Sequence, residues 1–171
     1  MTREKIDTVI FLDIDGVLMT NFSDYSGEYP RFDVESIIFL NNLYRSIKYD
    51  IVLISSWKDA YTIKYMNDLF KSNGIEAEII DKTDIIEKAY NRCDISLYDI
   101  DNKKYKTGRD DEIHKWLSVF NPNHYLILDD FIVSDLELRK HQIKGLNPFM
   151  PYGHVSMDNF KDAIKILKMN D

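Results

Sequence analysis

Three short, uninterrupted apolar runs constrain this chain more than any other feature. They are Thr8-Val-Ile-Phe-Leu12, Ile51-Val-Leu-Ile54 and Tyr125-Leu-Ile-Leu128. Runs of this length without polar alternation suit strands covered on both faces, which is the requirement of a buried parallel sheet. Helical periodicity fills the stretches between them. One helix is predicted over about Val34–Ile47, with Val34, Ile37, Ile38, Leu43 and Ile47 near one face. Another covers Asp59–Ser72 through Ile63, Met66, Leu69 and Phe70, and Asn73-Gly74 stops it because glycine tolerates positive φ. A third runs from Asp110 to Phe120 with Ile113, Trp116 and Leu117 apolar, ended by Asn121-Pro122. After a Gly/Pro-marked loop from Gly145 to Gly153, Ser156 caps a last amphipathic helix using Phe160, Ala163, Ile164 and Leu167. The alternation predicts right-handed βαβ units and a parallel sheet, an α/β protein. In the middle, Glu78-Ile-Ile80 reads as a strand, Asp84–Tyr90 as a short helix, and Asp101-Asn-Lys-Lys104 as the turn of a small hairpin.

At 171 residues the chain has the length of one domain, taken as 1–171, and it is 44% hydrophobic, enough to build a core without staples. Its formal net charge of −7 argues against a dedicated duplex-DNA binder, which needs a basic face to release counterions from phosphates. A small phosphorylated ligand held by one or two local cations remains compatible with that charge. The one cysteine, Cys93, closes no intramolecular disulfide and suits a reducing compartment. Neither an apolar leader nor a run near the ~20 residues of a membrane helix is visible, so a cytoplasmic location without membrane partners is expected.

Each buried run ends in a polar cluster: Asp13-Ile-Asp15-Gly16, Ser55-Ser56-Trp57-Lys58 and Asp129-Asp130. Open α/β sheets bind ligands beyond the carboxyl ends of their strands, so parallel strands bring these three distant clusters together. Gathered carboxylates need a positive partner, and Mg²⁺ commonly uses one or two carboxylates plus a substrate phosphate. One carboxylate can act as a covalent nucleophile toward phosphorus. A second can protonate the leaving oxygen and later accept a proton from water. Ser55 offers a hydroxyl to a phosphoryl oxygen, and Lys106 or Arg109 is available to balance charge.

Taken in order, these motifs resemble those of the haloacid dehalogenase-like (HAD) superfamily, whose members are mostly phosphatases. Asp13-Ile-Asp15-Gly16-Val17-Leu18 matches the first family motif, Ile51-Val-Leu-Ile-Ser55 the second, and Asp130 with Asp135 the fourth. The third, a basic residue near a helix start, falls to Arg109 first and Lys106 second. Ser55-Ser56-Trp57-Lys58, Arg109 with Glu112-Ile113 and Trp116-Leu117, Leu126-Ile-Leu-Asp-Asp130 and Gly145-Leu146 further resemble the HAD domains of Swiss army knife RNA repair proteins. That subgroup commonly carries Trp-Arg where this chain has Trp57-Lys58. The resemblance implies a three-layer Rossmann-like fold with little or no cap, although Asn21–Phe32 has the length for a small flap. It implies an Mg²⁺-dependent phosphomonoesterase working through an aspartyl-phosphate. Asp13 would be nucleophile and metal ligand, Asp15 the acid/base and, through its carbonyl, a metal ligand, and Asp130 a metal ligand supported by Asp129 and Asp135. Ser55, Ser56 and Arg109 or Lys106 would hold the phosphoryl group. The substrate class would be a nucleotide, a terminal phosphate of RNA or a small phosphorylated metabolite. A phosphotransferase or mutase on the same chemistry, and a catalytically silent domain that binds a phospho-ligand or partner, are the alternatives.

Other features read as structural. Trp57 is a packing residue at the rim, and Lys58 is either a surface lysine or a substrate contact. Asp110-Asp111-Glu112 suits the positive end of a helix dipole. His114, His124, His141 and His154 lack metal-ligand spacing and are surface or structural residues. Cys93 is a small hydrophobe.

Overall fold

The computed structural model describes residues 6–23, 30–84, 98–99, 104–105 and 108–169. Strand β1 (Thr8–Leu12) leads through helix α1 (Val34–Ser46) to β2 (Asp50–Leu53). Two helices, α2 (Trp57–Ala60) and α3 (Ile63–Ser72), then connect to β3 (Ile79–Lys82). A two-stranded antiparallel hairpin, β4 (Tyr98–Asp99) and β5 (Lys104–Tyr105), precedes α4 (Gly108–Phe120) and β6 (His124–Leu128). The short α5 (Leu136–Lys140), a 3-10 turn (Met157–Asn159) and α6 (Phe160–Leu167) close the chain.

The four main strands form a parallel sheet in the order β3-β2-β1-β6, so β1 is central. Successive side chains alternate between the faces of a strand, and both faces here are covered. Ile10, Leu12, Ile51, Leu53, Leu126 and Leu128 pack with α1, α3 and α6 on one side. Val9, Phe11, Val52, Ile54 and Ile127 pack with Ile113 and Trp116 of α4 and Leu138 of α5 on the other. This is the three-layer α/β fold, and it explains why the runs in the sequence are continuous rather than alternating. Full burial of each such side chain contributes roughly 1.5–3 kcal/mol, which is why the sheet is the most strongly specified part of the chain. Among the described residues no helix is long and apolar enough to cross a membrane.

Three local expectations change. Helix α1 is turned relative to the apolar stripe read from the sequence: Ser36, Phe39, Leu40 and Leu43 are buried, while Val34 is 69% exposed. Ser36 belongs on the buried face because its hydroxyl donates to the carbonyls of Val17 (3.2 Å) and Val155 (3.0 Å). The helix expected over Asp59–Ser72 is broken at Tyr61-Thr62, where Thr62 accepts a hydrogen bond from the Tyr65 N–H (3.1 Å) and caps α3. Strand β3 extends later than Glu78–Ile80, and the Thr83 N–H continues its ladder to the Leu53 carbonyl at 3.0 Å. Ser156 does begin the last helical segment, in a reciprocal capping box with Asn159. The expected helix at Asp84–Tyr90, the Asp101–Lys103 turn, Cys93, Lys106 and the centre of the Asn21–Phe32 segment lie outside the described residues.

Lys58 is not a surface residue, being 2% exposed. Its ammonium pairs with the Glu112 carboxylate and donates to the Thr83 hydroxyl at 3.0 Å, while that hydroxyl donates to Glu112 at 2.8 Å. Glu112 is 4% exposed, so the trio is a desolvated joint between α2, the end of β3 and α4. Removing one member of a buried pair strands the other charge, which typically costs about 3–5 kcal/mol. Glu112→Ala is therefore expected to destabilise the protein by about that amount in urea unfolding. The apolar pair Lys58→Met/Glu112→Leu should recover most of the loss. A loss below about 1 kcal/mol in Glu112→Ala would contradict the joint.

Candidate active site

The sheet register gathers the strand-end clusters at one edge. Leu12 lies beside both Leu53 and Leu128, the Asp13 N–H donates to the Leu128 carbonyl (2.9 Å), and the Ile54 N–H donates to the Leu12 carbonyl (3.0 Å). Asp13 thus leaves the central strand between the clusters that follow β2 and β6. Its carboxylate is buried, with Oδ1 accepting from the Ile14 N–H at 2.8 Å. Oδ2 accepts from Nη1 of Arg109 at 2.9 Å.

Arg109 stands at the start of α4, and the same Nη1 also donates to Asp129 Oδ2. Burial opposes its charge, but Asp129 and Asp13 outweigh burial and hold the guanidinium more firmly protonated than usual. Asp129 in turn accepts the Phe131 N–H through Oδ1 at 2.9 Å. Complete burial, reinforced by Asp13 and opposed by Arg109, raises the Asp129 carboxyl above the ordinary range. Buried Gln142 holds the loop that follows, its amide donating to the carbonyls of Asp129 (3.2 Å) and Phe131 (2.6 Å) and its oxygen accepting the Val133 N–H (3.0 Å). Asp129 is therefore an anchor for Arg109 as well as a member of the acidic group.

Asp130 is different. Its Oδ1 is buried without a hydrogen-bond partner among the described residues. Carboxylate oxygens of Asp13, Asp129 and Asp130 all lie within 4.8 Å of one another. Burial first, then the Asp13 charge, pushes Asp130 up to about 6. Gly16 makes this arrangement possible: at φ +78° a Cβ would be strained, and it would stand 2.6 Å from Asp130 Cγ. Three carboxylates face one guanidinium, and a buried acceptor lacks a donor. A hard divalent cation with oxygen ligands fits that donor set.

The remaining sequence candidates surround this centre. Asp15 is exposed, and its Oδ2 accepts from the indole N–H of Trp57 at 2.9 Å. Trp57 was expected only to pack, and no spacing rule pairs a tryptophan with an acid across β1 and β2. Ser55 is fully buried, with its Oγ 3.4 Å from the Trp57 N–H it accepts, and Ser56 is the N-cap residue of α2 without a side-chain capping hydrogen bond. Asp135 sits outside the acidic group and caps α5, accepting from the N–H groups of Glu137 and Leu138. Asp110 does more than complement a helix dipole, since its Oδ2 accepts from the N–H groups of Ser134 (2.9 Å) and Asp135 (2.8 Å) and from the Ser134 hydroxyl. His141 is buried and stacks on Tyr125, and His154 is buried beside Asp33 and Glu35, consistent with structural roles.

A cation held by Asp130 would compete with its proton, so such binding would be pH-dependent. A carboxyl raised from about 3.9 contributes stability below that value and loses it as pH rises through about 6, because burial and the Asp13 charge oppose its ionisation in the folded state. A bound cation reverses the preference, stabilising the ionised form. Mg²⁺ is thus expected to raise Tm by several degrees at pH 8, far less at pH 5, and little at either pH in Asp130→Asn. Equal shifts at both pH values in thermal melts would refute this.

Comparison with protein families returns a match over residues 9–146 to the family described as the HAD domain in Swiss Army Knife RNA repair proteins. The match spans the strand-end clusters and α4. No curated protein and no solved structure matches the chain.

Proposed function

The chain belongs to the family of HAD domains found in Swiss Army Knife RNA repair proteins, and on that premise we propose that it is an Mg²⁺-dependent phosphomonoester hydrolase. The observation that carries this reading is the Arg109 bridge between Asp13 and Asp129 beside the unpartnered oxygen of Asp130. It holds a carboxylate at the end of the central strand, next to one fixed guanidinium and a carboxylate oxygen suited to a hard cation. Phosphomonoester chemistry needs such a balance, because an anionic nucleophile must approach an anionic phosphoryl group.

In this reading Asp13, Asp130 and Asp129, with the Asp15 carbonyl, would hold Mg²⁺. The ion screens the charge of the phosphoryl oxygens when bound. Arg109 and the Ser55 and Ser56 groups orient the phosphoryl group, with Lys106 a further candidate for the cation. An Asp13 carboxylate oxygen attacks phosphorus, a P–O bond forms, and the bond to the leaving alcohol breaks. Asp15 delivers its proton to the leaving oxygen. Asp15, now ionised, removes a proton from water as that water attacks the phosphorus of the aspartyl-phosphate, and inorganic phosphate leaves with Asp13 regenerated. The exposure of Asp15 suits a group that exchanges protons with substrate and solvent, and the Trp57 N–H fixes its direction. The substrate we infer is a nucleotide or a terminal phosphate of RNA, in keeping with the family.

Two variants separate the assigned roles. Asp13→Asn is expected to form no phosphoenzyme and to lose turnover on every substrate. Asp15→Asn should lose about 10²–10⁴-fold on an alkyl phosphate, whose leaving oxygen needs a proton. With an activated aryl phosphate, Asp15→Asn should retain its first step and show a burst as phosphoenzyme accumulates. Rapid-quench kinetics read both. A burst from Asp13→Asn, or an Asp15→Asn defect independent of leaving-group pKa, would overturn the roles.

A further inference from the structure

A ladder of aromatic rings leads away from the acid/base candidate. Trp57, Tyr61 and Tyr65 recur every four residues, a spacing that keeps side chains on one side of a helix. The Trp57 indole is tied to Asp15 by its N–H (2.9 Å). Its ring centroid lies 5.5 Å from that of Tyr61, tilted by 44°, and Tyr61 lies 4.5 Å from Tyr65 at only 14°. Tyr61 is 39% exposed. It occupies the break between α2 and α3, with extended backbone at φ −126° and ψ 149°, so its position does not come from an uninterrupted helix. Core packing accounts for the inner edges of Trp57 and Tyr65, which lie against the cluster of α1 and α3. Tyr61 lies outside that cluster, its ring stacked on Tyr65 and tilted against Trp57, and it keeps an exposed part.

We propose that Tyr61, flanked by Trp57 and Tyr65, is a stacking platform for a nucleobase carried by the phosphomonoester being hydrolysed. This rests on the phosphatase reading above and assigns the base of that nucleotide or RNA-end substrate to Tyr61. Aromatic side chains stack on any base because every base has a π-face, so the platform selects for the presence of a base and tolerates its identity. The charge balance fits the same class. With a net charge of −7, affinity for a base-bearing phosphate comes from stacking and from Arg109 rather than from a basic surface along a long polymer. Trp57 contributes twice, since the ring that begins the ladder is the one holding Asp15. A base seated on the platform is thereby placed beside the acid/base candidate.

The test uses the full chain with Mg²⁺, nucleoside 5′- and 3′-monophosphates, a trinucleotide bearing a terminal phosphate, and ribose 5-phosphate as the base-free comparison. Tyr61→Ala should lower the preference for a nucleoside monophosphate over ribose 5-phosphate, read as the ratio of kcat/KM values, by about tenfold or more. Tyr61→Phe should keep it, because the ring and not the hydroxyl does the stacking. A larger preference for the trinucleotide than for either monophosphate assigns the platform to strand ends, and the reverse assigns it to free nucleotides. Binding is read separately, by quenching of the fluorescence of the half-buried Trp57, the other tryptophan, Trp116, being 5% exposed on the opposite face of the sheet. Nucleoside monophosphates should quench it and ribose 5-phosphate should not. If no phosphate ester is hydrolysed but this quenching persists and is lost in Tyr61→Ala, the phosphatase reading fails and the platform stands. An unchanged ratio in Tyr61→Ala, or equal quenching by base-free and base-bearing phosphates, overturns the platform.

Discussion

Arg109 joins two buried carboxylates that would otherwise repel each other, and the geometry of the whole candidate site depends on that joint. A carboxylate withdrawn from water is costly unless a cation or several donors replace its hydration. Asp13 and Asp129 each receive one backbone N–H and share one guanidinium nitrogen. That arrangement leaves the first turn of α4 no freedom relative to the ends of β1 and β6. It also leaves Asp130 as the one acid of the buried group whose inner oxygen lacks a partner among the described residues.

The surrounding polar network serves the same end by indirect means. Lys58, Thr83 and Glu112 lock α4 to α2, so Arg109 and Ser55 are held by one rigid frame. Gln142 and Asp110 fasten the loop after β6 through backbone groups that no strand or helix would satisfy. Buried polar side chains of this kind specify one loop conformation because each unsatisfied alternative carries a desolvation cost. The apolar core on each side of the sheet sets where the strands end. These few polar residues set where the carboxylates point.

Legibility in the sequence followed the range of the interaction. The three apolar runs and Ser156 were readable because burial on both faces and helix capping leave marks within a few residues. The role of Arg109 was readable only as one of two basic candidates, since its partners lie 96 and 20 residues away. The buried face of α1 was misread because Ser36 looks polar until its two carbonyl partners, from distant loops, are known. Lys58 was misread for the same reason: a lysine beside a tryptophan looks exposed unless a buried acid 54 residues on is brought to meet it. The break at Tyr61-Thr62 did have a local mark, a threonine suited to capping, which the helical period of the flanking residues masked.

The sequence by itself determined the alternation of strand and helix, the parallel sheet that follows from continuous apolar runs, and the polar clusters that end each run. Those are consequences of short-range periodicity and of which side chains water rejects. Only the tertiary structure decided that Asp130 keeps an oxygen unpartnered among the described residues, that Asp129 is bound to Arg109, that Trp57 holds Asp15 and that Lys58 is buried. Each of those depends on atoms brought within about 3 Å from separate elements, and the strength of hydrogen bonds and ion pairs falls away over distances far smaller than any sequence pattern can specify.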